Sequence, residues 1–417
     1  MDILLLSIFF SVGFYFYQKH RGTMLSLLPI VYLLYVLSGS VLLQLITGDG
    51  LLYGKPDQAA YILYGTQYAQ QIFSSSIVQL WQDAVTLGPV PGYWFIVSVF
   101  ENNFLFPLFS LRLLNTICHL ISVEASFKSF RLLEIDRVSA NKYAFVIGIV
   151  PGFFIYDLYI LRDSIMLYLF MIGWHLILIV SKSPSLRTIV GAIVSGVIIL
   201  LLLMEFRIQL AIVLGFLILV TCILRIFKLR LSLVRTFILM AIAVGASLVL
   251  PLGEEIGETL RNVSVNIFMN PNNLALLLKK GAMYSLGIGF VDPAERVGLS
   301  FLNILVQRLA AIDTIIFPII FWFQVLRGRM GRFRQELYPV LVGYLIYISG
   351  YTFAGIVYGE EYGLHYRALM PFQYIISLYL LASLKKGTYP NNSYFLTRFH
   401  MSFIETDCDK AHVVEEY

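Results

Sequence analysis

The sequence predicts an all-α polytopic membrane protein, and its composition and hydropathy carry that prediction. Of the 417 residues, 59% are hydrophobic and only 13% are charged, and the mean hydropathy is +0.80. A soluble protein of this length needs far more charged residues to cover its surface. Apolar segments that are long enough to cross a bilayer recur along the chain, and they indicate about 11 transmembrane helices.

The predicted helices correspond to apolar windows, most of them close to the length of about 20 residues that crosses the hydrocarbon core of a bilayer. The windows are, in chain order, 3–17, 24–47, 92–125, 142–158, 159–181, 187–204, 208–227, 234–251, 301–326, 337–357 and 367–384. The window 92–125 fits one tilted helix, or a surface helix followed by a span, since Pro107 lies inside it. We therefore predict that residues 1–385 form a single transmembrane domain with two larger outer loops, 48–91 and 252–300.

The orientation follows from the distribution of Lys and Arg. The loops around Lys19, Lys128 and Arg225 are rich in basic residues, whereas the alternate loops hold far fewer. Because basic loops stay in the cytoplasm, we expect the two larger loops outside and the polar tail 386–417 inside. Most Asp and Glu residues fall near the outer side. The sequence therefore predicts a functional site at the outer membrane–water boundary.

Several other classes of protein are excluded. The net charge is +5, but the basic residues lie between apolar segments and form no single patch, so nucleic acid is not expected as a partner. The cysteines Cys118, Cys222 and Cys408 are scattered, which excludes a disulfide framework. No HExxH or CxxC pattern occurs, so we expect neither a metal nor a cofactor.

Asp57 is the candidate catalytic acid of the first outer loop. It precedes a tyrosine-rich stretch, AAYILYG, whose spacing suits a helix lying in the membrane interface. Asp57 would then lie in the first turn of that helix, where Asp commonly satisfies free backbone N–H groups. The alternative is a general base that acts on a substrate held over the bilayer.

Ionisable residues also occur at three outer helix ends: Arg162 with Asp163, Glu205 with Arg207, and His365 with Arg367. A guanidinium at this depth needs partners, and a cation near the headgroups suits a phosphate ligand. Arginines in one pocket can stabilise the charge of a pyrophosphate leaving group. Structural alternatives remain open, namely helix capping by Asp163, an ion pair of Arg162 with Asp157 or Glu205, and snorkelling of Arg367.

Ionisable residues also fall inside the predicted helices. Glu101, Arg112 and His119 lie in the window 92–125, where we expect a satisfied polar cluster rather than a catalytic site. His175 stands alone among apolar residues and is expected to be a core histidine.

Three short motifs occur in the order PDQAAYILYG, PGFFIYDLYILRDS and GLHYRALMP. Together they resemble motifs of bacterial GT-C-like membrane glycosyltransferases and of the repeat-unit polymerases of O-antigen and capsular polysaccharide pathways. The resemblance covers residues 45–385 and implies a GT-C-like fold in the bacterial inner (plasma) membrane, with a periplasmic active face. It implies Asp57 as the loop carboxylate, Arg162 and Arg367 as the arginines of the later motifs, and His365 as a substitute base.

The resemblance further implies glycosyl transfer from a polyprenyl-diphosphate-linked sugar or oligosaccharide, with polymerisation of repeat units as the expected reaction. Membrane lipid and a chain-length regulator are the other implied partners. The alternatives are a flippase for lipid-linked oligosaccharides or another transporter, and an accessory membrane protein without chemistry. A transporter should carry charged residues at mid-membrane, and the sequence favours the enzyme because its charges gather at one face.

Overall fold

The structure, a computed structural model, is a helical membrane protein. It describes residues 1–48, 62–63, 91–158, 162–183, 185–206, 208–226, 316–327 and 366–384, with scattered positions between 330 and 343. The described helices are α1 (Asp2–Lys19), α2 (Leu28–Thr47), α3 (Pro91–Asn103), α4 (Pro107–Leu132), α5 (Arg137–Ile149), α6 (Pro151–Phe154), α7 (Arg162–Lys182), α8 (Leu186–Phe206), α9 (Ile208–Ile226), α10 (Ile316–Leu326) and α11 (Tyr366–Leu384). All regular structure within these ranges is helical, which confirms the all-α prediction for them.

Four of the described helices are long and apolar enough to cross a membrane: Met24–Thr47, Pro107–Leu132, Ser164–Lys182 and Leu186–Phe206. Large apolar side chains also point outward, such as Ile3 on α1 and Leu45 on α2, which are 82% and 78% exposed. Apolar side chains in such numbers on the outer surface of the bundle are expected where a protein faces lipid rather than water.

Two prolines divide segments that the hydropathy pattern joins. Pro107 begins α4, so the window 92–125 contains two helices, α3 and α4, rather than one tilted helix. Pro151 follows the end of α5, and Val150 before it has left the helical conformation (ψ 124°). Because a residue before proline is disfavoured in the α region, the predicted helix 142–158 is wrong as a single helix. Its second half is α6 and a 3₁₀ turn, Ile155–Leu158.

Contacts along α1 and α4 show that these two helices run parallel. At one end, Asp2 accepts hydrogen bonds from the backbone N–H of Leu105 at 2.9 Å and from the Ser110 hydroxyl at 2.8 Å. At the other end, Lys19 contacts Glu124. Desolvation raises the pKa of Asp2, but these hydrogen bonds outweigh it and hold the pKa below its usual value. We call the two ends of the bundle the Asp2 end and the Lys19 end.

The Lys19 end is held by a buried ionic network centred on Glu124 of α4. Glu124 accepts hydrogen bonds from Lys19 Nζ at 2.6 Å and from His20 Nε2 at 2.7 Å. The other ring nitrogen of His20 lies 3.0 Å from Asn141 Oδ1, and the Asn141 amide nitrogen donates to the Arg137 carbonyl at 2.8 Å. That second bond fixes the amide orientation, so both ring nitrogens of His20 face oxygen atoms. Glu124 is the shared partner of Lys19 and His20.

Gly148 of α5 marks the closest packing of α5 against α2 and α4. A Cβ added there would lie 2.8 Å from Leu28 Cδ1 and 3.2 Å from Val123 Cγ2. The Gly148 carbonyl also accepts a hydrogen bond from the Tyr32 hydroxyl at 2.7 Å, so this oxygen is fixed next to the contact. Only glycine fits without displacing a neighbour.

We expect Gly148→Ala to lower the stability of the folded protein by about 1–3 kcal/mol, because the added methyl group overpacks the contact. Gly191→Ala on α8 is the matched control, since nothing lies within 4 Å of a Cβ at that position. The measurement is the thermal denaturation of both variants purified in detergent. Equal melting temperatures for the two variants would contradict the close packing of α5.

Candidate functional site

The 3₁₀ turn between α5 and α7 places a carboxylate in the interior of the bundle. Asp157 lies in the 3₁₀ turn after α6, and its Oδ2 is 2.8 Å from Nδ1 of His119, at the middle of α4. Both side chains have 0% exposure. A buried carboxylate needs hydrogen-bond donors on its oxygens, and the Tyr168 hydroxyl of α7 donates to the second oxygen, Oδ1.

The imidazole of His119 is enclosed by two aromatic rings. Tyr32 of α2 stacks on one side, with ring centroids 4.9 Å apart and an interplanar angle of 26°. Tyr168 stacks with the ring at 4.9 Å and 18°. The Tyr32 hydroxyl is itself tied to the Gly148 carbonyl. Helices α2 and α7 and the turn that carries Asp157 therefore together fix the orientation of His119.

The remaining ring nitrogen of His119 is the chemically notable atom. Its Nδ1 faces the carboxylate of Asp157 and donates to it, because an ionised carboxylate can only accept. When the ring is neutral, Nε2 carries its lone pair, and this buried atom has no hydrogen-bond partner in the described part of the chain. A carboxylate that orients an imidazole in this way leaves the opposite nitrogen ready to accept a proton.

Arg112 attaches the turn to the neighbouring helices. The residue is only 2% exposed, and its Nε donates to the Leu158 carbonyl at 3.0 Å. One terminal nitrogen lies 3.2 Å from the Ser40 hydroxyl of α2. Arg112 and His119 are seven residues apart and lie on the same face of α4. The predicted burial of these two side chains is confirmed, while Glu101, on α3, is half-buried.

The predicted phosphate-binding positions lie on helix ends whose relative direction the structure defines. Ser122 of α4 contacts the Tyr168 carbonyl of α7 at 3.4 Å, and Ser129 contacts His175 seven residues further on at 3.1 Å. These successive contacts require α4 and α7 to be parallel. Helix α7 therefore starts towards the Asp2 end.

Helix α11 runs parallel to α7. Phe372 lies 6.0 Å from Phe170 between ring centroids, and Tyr379 lies 6.2 Å from Trp174, so both helices advance in the same direction. Arg162 is the first residue of α7 and Arg367 is the second residue of α11. These two positions therefore begin neighbouring helices at the same end of the bundle.

The structure describes some of the other predicted site residues and not the rest. Asp163 is the second residue of α7, so it lies in the first turn and not at the helix cap. Glu205 is the penultimate residue of α8, which returns towards the Asp2 end after α7, and its side chain is partly exposed. Asp57, Arg207 and His365 lie outside the described residues, as do the side chains of Arg162, Asp163 and Arg367.

The His119–Asp157 pair is close to these helix starts in the chain. Asp157 precedes Arg162 by five residues, and Tyr168 follows Arg162 by six. Six residues of helix rise about 9 Å, so the hydroxyl-bearing Tyr168 lies about that far along α7 from its first residue. In the part of the chain that the structure describes, no group of three or more His, Cys, Asp and Glu side chains is arranged to hold a metal ion.

Sequence reasoning did not identify the His119–Asp157 pair or Glu124, although α4 carries a signal for them. Apart from the adjacent pair Asn115 and Thr116, buried polar side chains of α4 recur every three or four positions, at Arg112, Asn115, Thr116, His119, Ser122, Ser126 and Ser129. This spacing defines one face of a helix and shows that the face packs inside the protein. Ionisable side chains occur at several depths along α4, whereas the sequence predicts that charges gather near one face of the membrane.

The fold and these contacts define the class of the chain as a helical membrane protein with a buried histidine–carboxylate pair. No protein-family model, curated protein or solved structure matches the chain.

Proposed function

We propose that this chain transfers a glycosyl group from a polyprenyl-diphosphate-linked sugar or oligosaccharide, with polymerisation of O-antigen or capsular repeat units as the reaction. The observation that carries the proposal is the common end at which Arg162 and Arg367 begin parallel, neighbouring helices. A diphosphate clamp needs cations from separate helices at one level. Helix N-termini also favour phosphate groups through their free N–H donors.

The proposed site has a defined division of roles. Arg162, Arg207 and Arg367 bind the diphosphate and take up the charge that develops as it leaves. Asp163 and Glu205 contact the saccharide, and Asp57 or His365 removes the proton of the acceptor hydroxyl. The oxygen of that hydroxyl then attacks the anomeric carbon, whose bond to the diphosphate oxygen breaks.

The finer architecture belongs to the same proposal. About 11 spans and a GT-C-like arrangement would hold the lipid chain of the donor in the bilayer while its sugar enters the outer loops. The Asp2 end would face the periplasm of a bacterial inner membrane, because the basic residues Lys19, Lys128 and Arg225 lie at the Lys19 end. A chain-length regulator would be the protein partner of a polymerising enzyme.

Transport is the second candidate, and the buried polar face of α4 supports it. Arg112 lies in the second turn of α4, His119 at its middle, and Glu124 towards the Lys19 end. Ionisable side chains at successive depths are typical of proteins that move ions or polar substrates across a membrane. A flippase for lipid-linked oligosaccharides is the transporter that would use the same substrate class.

Deletion of the gene from its host separates these candidates, and gel analysis of surface polysaccharide is the measurement. Loss of a polymerase is expected to collapse the polysaccharide ladder to a single repeat. A shift in core size would indicate a transferase that adds one sugar. Loss of all surface glycan, with lipid-linked oligosaccharide retained on the cytoplasmic leaflet, would indicate a flippase. An unchanged glycan pattern would refute the proposed function.

A further inference from the structure

The pair of His119 and Asp157 carries a net negative charge when the imidazole is neutral. Both side chains have 0% exposure, and among the residues that the structure describes, the carboxylate is met by hydrogen bonds from His119 Nδ1 and the Tyr168 hydroxyl. A buried carboxylate without a cationic partner is costly, whereas a hydrogen-bonded ion pair recovers part of that cost. A cation at His119 would therefore complete the pair.

We propose that His119 and Asp157 form a proton-binding site inside the helix bundle, with Nε2 of His119 as the atom that takes up the proton. The lone pair of Nε2 forms the new N–H bond, and the ring becomes an imidazolium against the Asp157 carboxylate. No other covalent bond changes. The excess proton belongs to the pair as a unit, since the two groups are directly hydrogen-bonded.

The surroundings of the pair favour a proton over a larger ligand. Tyr32 and Tyr168 stack with the imidazole, and the ring has no exposed surface. The titratable groups that face the pair in the described structure are Tyr32 from α2, Tyr168 from α7 and Cys118 from α4. These are neutral hydroxyl and thiol groups, so Asp157 is the charged partner of the ring.

A chain of hydrogen-bonding side chains leads from the middle of α4 towards the Lys19 end. Ser126 donates to the Tyr374 hydroxyl at 3.2 Å, and Tyr374 also bonds to Ser129. Ser129 lies 3.1 Å from Nδ1 of His175. Hydroxyl and imidazole groups in contact can pass protons along their hydrogen bonds. The row begins two turns of α4 beyond His119.

The test is nuclear magnetic resonance of protein labelled with ¹⁵N-histidine, with wild type compared to His119→Gln. The chain has six histidines, so the resonances missing from the variant belong to His119. We expect Nδ1 to be protonated and Nε2 unprotonated at about pH 8, and Nε2 to become protonated as the pH falls to about 5. An Nε2 that stays unprotonated across this range would overturn the proposal, as would a proton on Nε2 instead of Nδ1 at the higher pH.

Asp157→Asn keeps the shape of the partner and removes its charge. We expect it to change the His119 nitrogen resonances and their dependence on pH, because the charged partner of Nδ1 is removed. This variant also identifies the His119 resonances if His119→Gln does not fold. An unchanged titration in Asp157→Asn would contradict the pairing. The measurement needs no substrate, so its outcome is independent of whether the chain transfers glycosyl groups.

Discussion

Arg162→Ala and Arg367→Ala are each expected to lower polysaccharide formation by at least about 100-fold while the protein inserts into the membrane at a normal level. In the proposed reaction the departing diphosphate develops charge that fixed guanidinium groups stabilise. The two positions begin parallel helices at one end of the bundle, so neither can replace the other. The measurement is complementation of the deletion strain, read as the amount and length of surface polysaccharide.

Arg187→Ala is the matched control for both variants. Arg187 is exposed and lies in the first turn of α8, at the Lys19 end of the bundle and opposite the proposed site. Its loss is expected to leave polysaccharide formation within about twofold of wild type, because a surface charge of this kind contributes little. Full activity of both Arg162→Ala and Arg367→Ala, at normal protein levels, would remove the diphosphate clamp from the proposal.

The largest expected effect on stability is that of Glu124→Ala. This substitution removes the carboxylate that both Lys19 and His20 contact and leaves the Lys19 ammonium without its counter-ion. His20 is only 3% exposed, so water cannot replace the lost carboxylate there. We expect a loss of about 3–5 kcal/mol, the range found when one partner of a buried ion pair is removed. The protein should denature at a clearly lower temperature in detergent, or fail to accumulate.

Lys128→Ala provides the comparison for Glu124→Ala. Lys128 also approaches Glu124, but at 3.8 Å and with a side chain that is 50% exposed. An exposed i,i+4 ion pair contributes about 0.5 kcal/mol or less. The two variants therefore separate the buried network from its exposed neighbour. A Glu124→Ala protein as stable as Lys128→Ala would show that the network at the Lys19 end is not required for folding.

Much of the described secondary structure could be predicted from hydropathy. The window 24–47 matches Met24–Thr47, and 187–204 matches Leu186–Phe206 within two residues at each end. Such helices can be predicted from the sequence because most of their residues are apolar. The prediction of a single helix over the window 142–158 is wrong, and the cause lies within that window. Hydropathy does not register Pro151, which ends the helical conformation at Val150 and allows a 3₁₀ turn to form inside the bundle.

The candidate site was much less predictable. The sequence places Asp157 near the outer side and leaves open an ion pair with Arg162. The structure brings Asp157 to His119, and the Arg162 side chain lies outside the described residues. The predicted catalytic residues Asp57 and His365 lie outside the described residues and remain predictions. The repeated polar positions on α4 indicate that its inner face is polar, but they do not identify the residues opposite that face.

Composition by itself determined the class of this protein, because the preference of an apolar residue for lipid or for a core depends on that residue alone. Only the tertiary structure decided which polar groups meet. Asp157 and His119 are 38 residues apart, and Glu124 is 105 residues from Lys19. Partners at such separations depend on which helices become neighbours and in which direction they run. That arrangement is a property of the packed bundle and of no single segment.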